Sequence, residues 1–203
     1  MEQRYVSTAI SDLVLAVVSF GCACNSTLLR LSSHTVFGFV LVGIAASFGV
    51  LRFGVVLPSY HNVVIKIHGY LSWFASIVGV PLIAAGFCFH HLKQSLGNLH
   101  LASAGAGFML SFVPTSLNKN LSKLVSTFAV VGIIFVSIVD KNMFGICGCI
   151  AYIAAGGLEP IDRLFGLRGV DWFHYVLAVG NVFFMCGITL VKARSSFKEQ
   201  AQQ

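Results

Sequence analysis

The chain of 203 residues is predicted to be all-α, a polytopic membrane protein built as one bundle of seven transmembrane helices. Composition and segment length carry that expectation. Hydrophobic residues make up 57% and charged residues 10%, against roughly a quarter charged in an ordinary soluble domain, and the mean hydropathy is +0.86. The apolar residues fall in runs near the ~20 residues a helix needs to cross the hydrocarbon core. Short polar hinges separate them. A single domain over 1–203 follows, with no soluble appendage beyond a brief N-terminus and a polar tail over 192–203, which is expected to fray.

The first crossing runs from Asp12 to Leu29. Arg4 ahead of an apolar stretch and the small residues Cys22, Ala23 and Cys24 raise a cleavable signal peptide instead, but Asp12 sits where its apolar region would begin and no polar mature start follows. The second crossing is Thr35 to Leu57 and the third Val64 to Phe89, where Pro81 lacks an N–H and frees a carbonyl below it for a neighbour to satisfy. The fourth, Gly97 to Leu117, carries His100, Ser103, Gly107 and Ser111 in one small-xxx-small stripe, read as a packing face with His100 near the headgroups. Gly43 and Ser47 repeat that logic on the second. The fifth crossing is Leu121 to Val139. The sixth, Met143 to Gly157, is short and contains Gly145, Gly148, Gly156 and Gly157, so a re-entrant segment is its alternative. The seventh, Asp171 to Val191, follows the longest connection, Leu158 to Val170.

A net charge of +6 raises nucleic acid as a partner, but the cations are scattered one or two per loop, and membrane lipids are the expected partners. With seven crossings the basic residues sort by face. Arg4, Arg52, Lys66, Lys119, Lys123, Arg163 and Arg168 share the N-terminal face; Arg30, Lys93, Lys141, Lys192, Arg194 and Lys198 share the other. Discounting Arg52 and Lys66 as helix-end residues tips the bias toward a cytoplasmic C-terminus in an endomembrane such as the endoplasmic reticulum. The six cysteines, Cys22, Cys24, Cys88, Cys147, Cys149 and Cys186, lie in or beside apolar runs and read as packing filler, with palmitoylation of a helix-end cysteine left over. Their C-x-C pairs have the wrong spacing for a zinc ribbon. The sequons at Asn25 and Asn120 hug span ends and read as silent. A nucleotide enzyme is excluded, because no Gly-rich loop precedes a Lys-Ser/Thr pair.

An ionisable group at mid-bilayer costs about 2.5–3.5 kcal/mol, so each should face the interior, pair, or lie near the headgroups. Alternating the helix directions brings Asp12, Arg52 and His68 to the N-terminal face. Asp171 and His174 open the seventh helix at that face, three residues apart, with Asn181 deeper on the same stripe. Ser72 and Ser76 continue from His68 at helical spacing, and Ser47 lies deeper than Arg52. Three readings are open: helix ends bathed in headgroups, a paired structural network of Asp12, Ser47, Arg52, Ser72 and Asn181, or a functional pocket. His34, His61, His90 and His91 belong to polar hinges and are not ligand candidates.

The stretch Ala45-Ala46-Ser47-Phe48-Gly49-Val50-Leu51-Arg52-Phe53-Gly54 and the seventh-helix opening Val170-Asp171-Trp172-Phe173-His174-Tyr175 resemble the superfamily of alkaline ceramidases and progestin-and-adipoQ receptors. The resemblance covers the seven-helix architecture and those two patches. It implies a zinc ion held by three histidines, one on the second helix and two spaced four apart on the seventh, activating water to hydrolyse a lipid amide. His174 alone carries over: four residues on stands Ala178, and four beyond Ser47 stands Leu51, followed by Arg52. No cofactor is therefore expected. The leading expectation is a non-catalytic lipid-binding or scaffold relative of these hydrolases. One alternative is a lipid-directed membrane hydrolase using His68, His174 and Asp171 as its catalytic set. Another is a proton or small-solute transporter, against which the lack of an inverted repeat argues.

Overall fold

The chain is seen here as a computed structural model that describes residues 5–54, 60–110, 112 and 118–200, with side chains described at all of these except 118, 119 and 191–200. It is a helical membrane protein. Helices α1 (Val6–Leu28) and α2 (Ser33–Gly54) are followed by a long rod made of α3 (His61–Phe74), a π-helical turn (Ala75–Gly79) and α4 (Val80–His90). Then come α5 (Gln94–Leu110), α6 (Asn118–Val139), α7 (Met143–Leu158), a small hairpin of β1 (Arg163–Leu164) and β2 (Leu167–Arg168), and α8 (Gly169–Gln200). Five of these rods are long and apolar enough to cross a membrane: Val6–Leu28, Ser33–Gly54, His61–His90, Asn120–Val139 and Gly169–Leu190. The other two, α5 and α7, have 17 and 16 residues.

Three helix ends at one face share a stop. Arg30, Leu92 and Lys141 take positive φ of 51°, 58° and 51°. The next residue's N–H then reaches five residues back, from Leu31 to Ser26, Lys93 to Cys88 and Asn142 to Ser137. This is the Schellman geometry, which satisfies carbonyls the helix end leaves open. Asn142 at once caps α7, its side chain accepting from Gly145 N–H at 3.1 Å.

Pro81 falls in the first turn of α4, directly after the π turn. Two glycines clasp that turn. A Cβ on Gly38 of α2 would stand 2.8 Å from the Gly79 carbonyl, and one on Gly107 of α5 would stand 2.6 Å from the Ile77 carbonyl, so in both places only a bare α-carbon allows the approach. Ile77 is the residue whose carbonyl Pro81 leaves without its usual donor. Below the turn nearly every α4 residue is buried; above it α3 buries none. The core gathers around Phe39, Ile83, Phe87, Ile133, Phe184 and Ile188. Val17, Phe37, Phe135, Ile138, Ile150 and Ile153 point outward, which suits a lipid-facing surface.

Several expectations need correction. Helix α1 begins at Val6, so Asp12 lies inside the helix rather than at its start. Helix α8 continues past 192 to Gln200. The connection before α8 folds as a hairpin, with Arg163 opposite Arg168 and Leu164 opposite Leu167. Phe165 and Gly166 at its tip both have positive φ, the requirement of a type I′ turn. His100 is fully buried inside the bundle, its ring tilted on Phe128 at 4.9 Å and abutting Gly132. Of its stripe, Ser103 bonds its own helix at the His100 carbonyl, Gly107 makes the contact described above, and Ser111 lies outside the described residues.

Candidate functional site

The polar residues at the N-terminal face belong to helices α1, α2, α3 and α8, and they form two linked groups. In the first, α1 presents Thr8, Ser11 and Asp12 on one face, all buried. Helix α8 answers with Asp171 and His174 one turn apart. Thr8 Oγ1 donates to Asp171 Oδ1 at 2.5 Å, and the other Asp171 oxygen accepts the Arg168 N–H at 3.2 Å. His174 Nδ1 meets Ser11 Oγ at 3.0 Å, and its Nε2 faces Asp12 Oδ1 at 3.4 Å. Ser11 Oγ carries one proton and also stands 2.9 Å from the Thr8 carbonyl, so a ring protonated at Nε2 satisfies both of its contacts only when that proton turns to Nδ1. Asp12 Oδ2 has no hydrogen-bond partner among the described residues. Its carboxylate lies flat against Gly49 of α2, in the space a Cβ there would fill.

The second group joins α2 to α3. Arg52 Nη1 donates to His68 Nδ1 at 3.0 Å, and His68 Nε2 contacts Ser72 Oγ at 3.3 Å. The guanidinium carbon sits 4.7 Å from the centre of the Phe53 ring, which in turn meets His68 edge-on at 5.8 Å. The charges of Arg52 and Asp171 both act on Asp12. Thus the ionisable residues that the sequence brings to one face are divided: Arg52 takes His68, while His174 takes Asp12 and Asp171 takes Thr8.

Deeper in the bundle, Asn181 accepts from Tyr152 of α7 at 2.6 Å and donates to Ser19 of α1 at 3.0 Å. It is a separate three-helix tie. Ser47 leaves the network altogether, donating to the Gly43 carbonyl on its own helix, and Ser76 likewise donates to the Ser72 carbonyl.

Thr8, Ser11, Ser19, Tyr152 and Arg168 were not among the expected site residues, although hydroxyls at 8, 11, 19 and 26 already mark one face of α1 at helical intervals. A further cluster lies at the opposite face, around His91, which the sequence places in a hinge. There His91 Nδ1 pairs with Asp140 at 2.6 Å, Asn142 Nδ2 contacts His91 Nε2 at 3.1 Å, and Lys93 stands 3.6 Å from Asp140. Asn142 also donates to the Gly187 carbonyl at 2.9 Å, and Phe87 stacks on the His91 ring at 4.7 Å.

These donors do not fit the zinc that the ceramidase resemblance implies. Both His174 nitrogens face Ser11 and Asp12, and His68 has a cationic guanidinium 3.0 Å from a would-be ligand nitrogen. Such a charge opposes a divalent ion. Among the described residues no three His, Cys, Asp or Glu groups are placed to hold a metal. A hollow of about 280 Å³ lies beside the hairpin instead, lined by Glu159, Pro160, Ile161, Asp162, Arg168, Gly169 and Val170.

Comparison with known proteins places this architecture. Transmembrane protein 276 of Mus musculus is 30% identical over 181 residues, which cover 86% of this chain and 88% of the mouse protein. The chain belongs to the transmembrane protein 276 family. The Rattus norvegicus and Homo sapiens members are each 29% identical over the same coverage. No family model matches the chain, and no solved structure matches it. As a transmembrane protein 276 relative with several apolar helices, it is an integral, multi-pass membrane protein.

Proposed function

We propose that this chain is a seven-pass, non-catalytic membrane protein, a lipid-contacting scaffold whose buried polar residues lock helices together rather than act on a substrate. One observation carries the reading: His174, Asp171 and His68, the set a hydrolase would use here, have each polar atom directed to a neighbour within the bundle. A general base or nucleophile needs a face open to its substrate. Paired groups of this kind hold position and register in an apolar solvent.

Seven passes are supported by the way α7 joins two polar layers, and by α5 running along the α3–α4 rod as far as Phe74, where Phe108 meets it at 6.2 Å. Helix α7 starts at Asn142 beside His91 and ends at the hairpin whose Arg168 touches Tyr5 at the head of α1. At ~1.5 Å per residue both helices approach the ~30 Å hydrocarbon thickness. The likeness to ceramidases and progestin-and-adipoQ receptors enters as architecture alone. A cytoplasmic C-terminus and residence in the endoplasmic reticulum belong to the same proposal and rest on the basic-residue bias.

The test is hydrolysis and melting measured together on the purified full chain. Wild type should release no product from lipid amides or esters, and His174→Ala should lower the melting temperature. Hydrolysis by the wild type that disappears in a folded His174→Ala protein would overturn the proposal.

A further inference from the structure

Three arginines gather at the N-terminal face, none of them ion-paired among the described residues. Arg163 and Arg168 are direct cross-strand neighbours in the hairpin, an arrangement in which like charges destabilise each other. The Arg168 guanidinium lies 4.3 Å above the Tyr5 ring and that of Arg52 4.7 Å above Phe53. Those two rings meet edge-on at 6.4 Å, and Tyr5 N–H bonds the Phe53 carbonyl at 3.2 Å. Arg52 and Arg168 are close enough for their charges to act on each other.

Nearby carboxylates are committed elsewhere. Asp171 spends one oxygen on Thr8 and the other on the backbone of Arg168, not on its guanidinium. Asp12 faces His174. Among the described residues no carboxylate comes within ion-pair distance of Arg52, Arg163 or Arg168. Arg168 Nη1 is buried and has no hydrogen-bond partner among the described residues. A buried guanidinium donor left open is costly, and each guanidinium offers five donors in a fork that matches an oxyanion.

We propose that Arg168 and Arg52, with Arg163 at the rim, form a binding site for a phosphate-class anion on the Tyr5–Phe53 aromatic pair. Glu159 and Asp162 line the hollow on the hairpin, which repels an anion from there. The exposed Phe165 at the hairpin tip and Trp172, whose indole N–H donates to the Leu164 carbonyl at 2.8 Å, set this edge in the zone where lipid phosphates lie. The site rests on the seven-pass reading only for that placement, not for its chemistry.

Two arms separate a lipid headgroup from free phosphate. The full chain is melted in phosphatidylcholine nanodiscs with increasing phosphatidic acid, and in detergent micelles with increasing inorganic phosphate. Phosphatidic acid should raise the wild-type melting temperature, and the Arg52→Gln/Arg168→Gln variant should need about tenfold more or show no rise, the loss of charge-assisted hydrogen bonds. A rise with both probes assigns the anion itself; a rise with phosphatidic acid alone assigns a lipid headgroup. Should the double variant not fold, Arg168→Lys keeps the charge and removes the fork, and a several-fold loss is expected. No rise of the wild type with either probe, or a variant that keeps the wild-type midpoint, overturns the site. The micelle arm needs no bilayer, so a wrong pass count leaves its result standing.

Discussion

Gly49 shows how a single atom decides whether the buried carboxylate of Asp12 can exist where it does. A methyl group there would occupy the carboxylate's own space, and overpacking of this kind costs ~1–3 kcal/mol. Gly49→Ala should therefore destabilise the wild type by about that much and cost little in an Asp12→Ala background. Equal penalties in both backgrounds, measured by detergent melting or chemical denaturation, would remove the Asp12–Gly49 contact as the cause. The ionisable members of this group were legible in the sequence, because Asp12, Arg52, His68, Asp171 and His174 stand out in apolar runs. Thr8 and Ser11 were not, since hydroxyls in membrane helices commonly bond their own backbone, as Ser47 and Ser76 do here. The His91–Asp140 pair is illegible in the sequence for another reason. Each lies in a hinge that looked hydrated, and their pairing across 49 positions has no local pattern.

At the scale of elements, the apolar ruler located every rod but placed the ends of several inward of the real ones, because it measures hydrocarbon thickness while a helix continues into the headgroup zone. The π turn was less legible still. Pro81 announced a disturbance, but its resolution depends on Gly38 and Gly107 arriving from two other helices. Gly38→Ala drives a methyl to 2.6 Å from Ile83 Cγ1 and 2.9 Å from its backbone nitrogen, and backbone on that side cannot retreat. It should cost about 1–3 kcal/mol or more. Gly105→Ala on the neighbouring α5 meets nothing within 4 Å and should be neutral or gain up to ~1 kcal/mol from helix propensity. The same melting assay separates them, and equal effects would deny the clasp. The shared helix stop gives the opposite sign: Leu92 is exposed with a φ of 58°, a conformation costing a non-glycine residue ~1–2 kcal/mol. Leu92→Gly relieves that strain at some cost in unfolded-chain entropy, so a net rise in melting temperature is expected.

Taken as a whole molecule, the bundle has two polar layers and an apolar middle crossed by the Ser19–Asn181–Tyr152 tie. At one end Asp12, Arg52, His68, Asp171 and His174 join α1, α2, α3 and α8; at the other His91, Asp140 and Asn142 join α4, α6 and α7. This division matters for the pass count, since five rods satisfy the length requirement alone while α5 and α7 are short. A helix that begins in one polar layer and ends beside the other has traversed the bundle whatever its residue count, and a bilayer adapts to a short span by thinning locally. Lys141 and Asp162 bracket α7, so they report directly on it. In a background with the six native cysteines replaced, Lys141→Cys and Asp162→Cys should react with a membrane-impermeant maleimide from opposite sides of sealed vesicles. Lys93→Cys should label with Lys141→Cys, because His91 and Asp140 hold those two turns together. If Lys141→Cys and Asp162→Cys label from one side, α7 is re-entrant, the seven-pass proposal fails, and the hairpin arginines belong to the same face as Asp140.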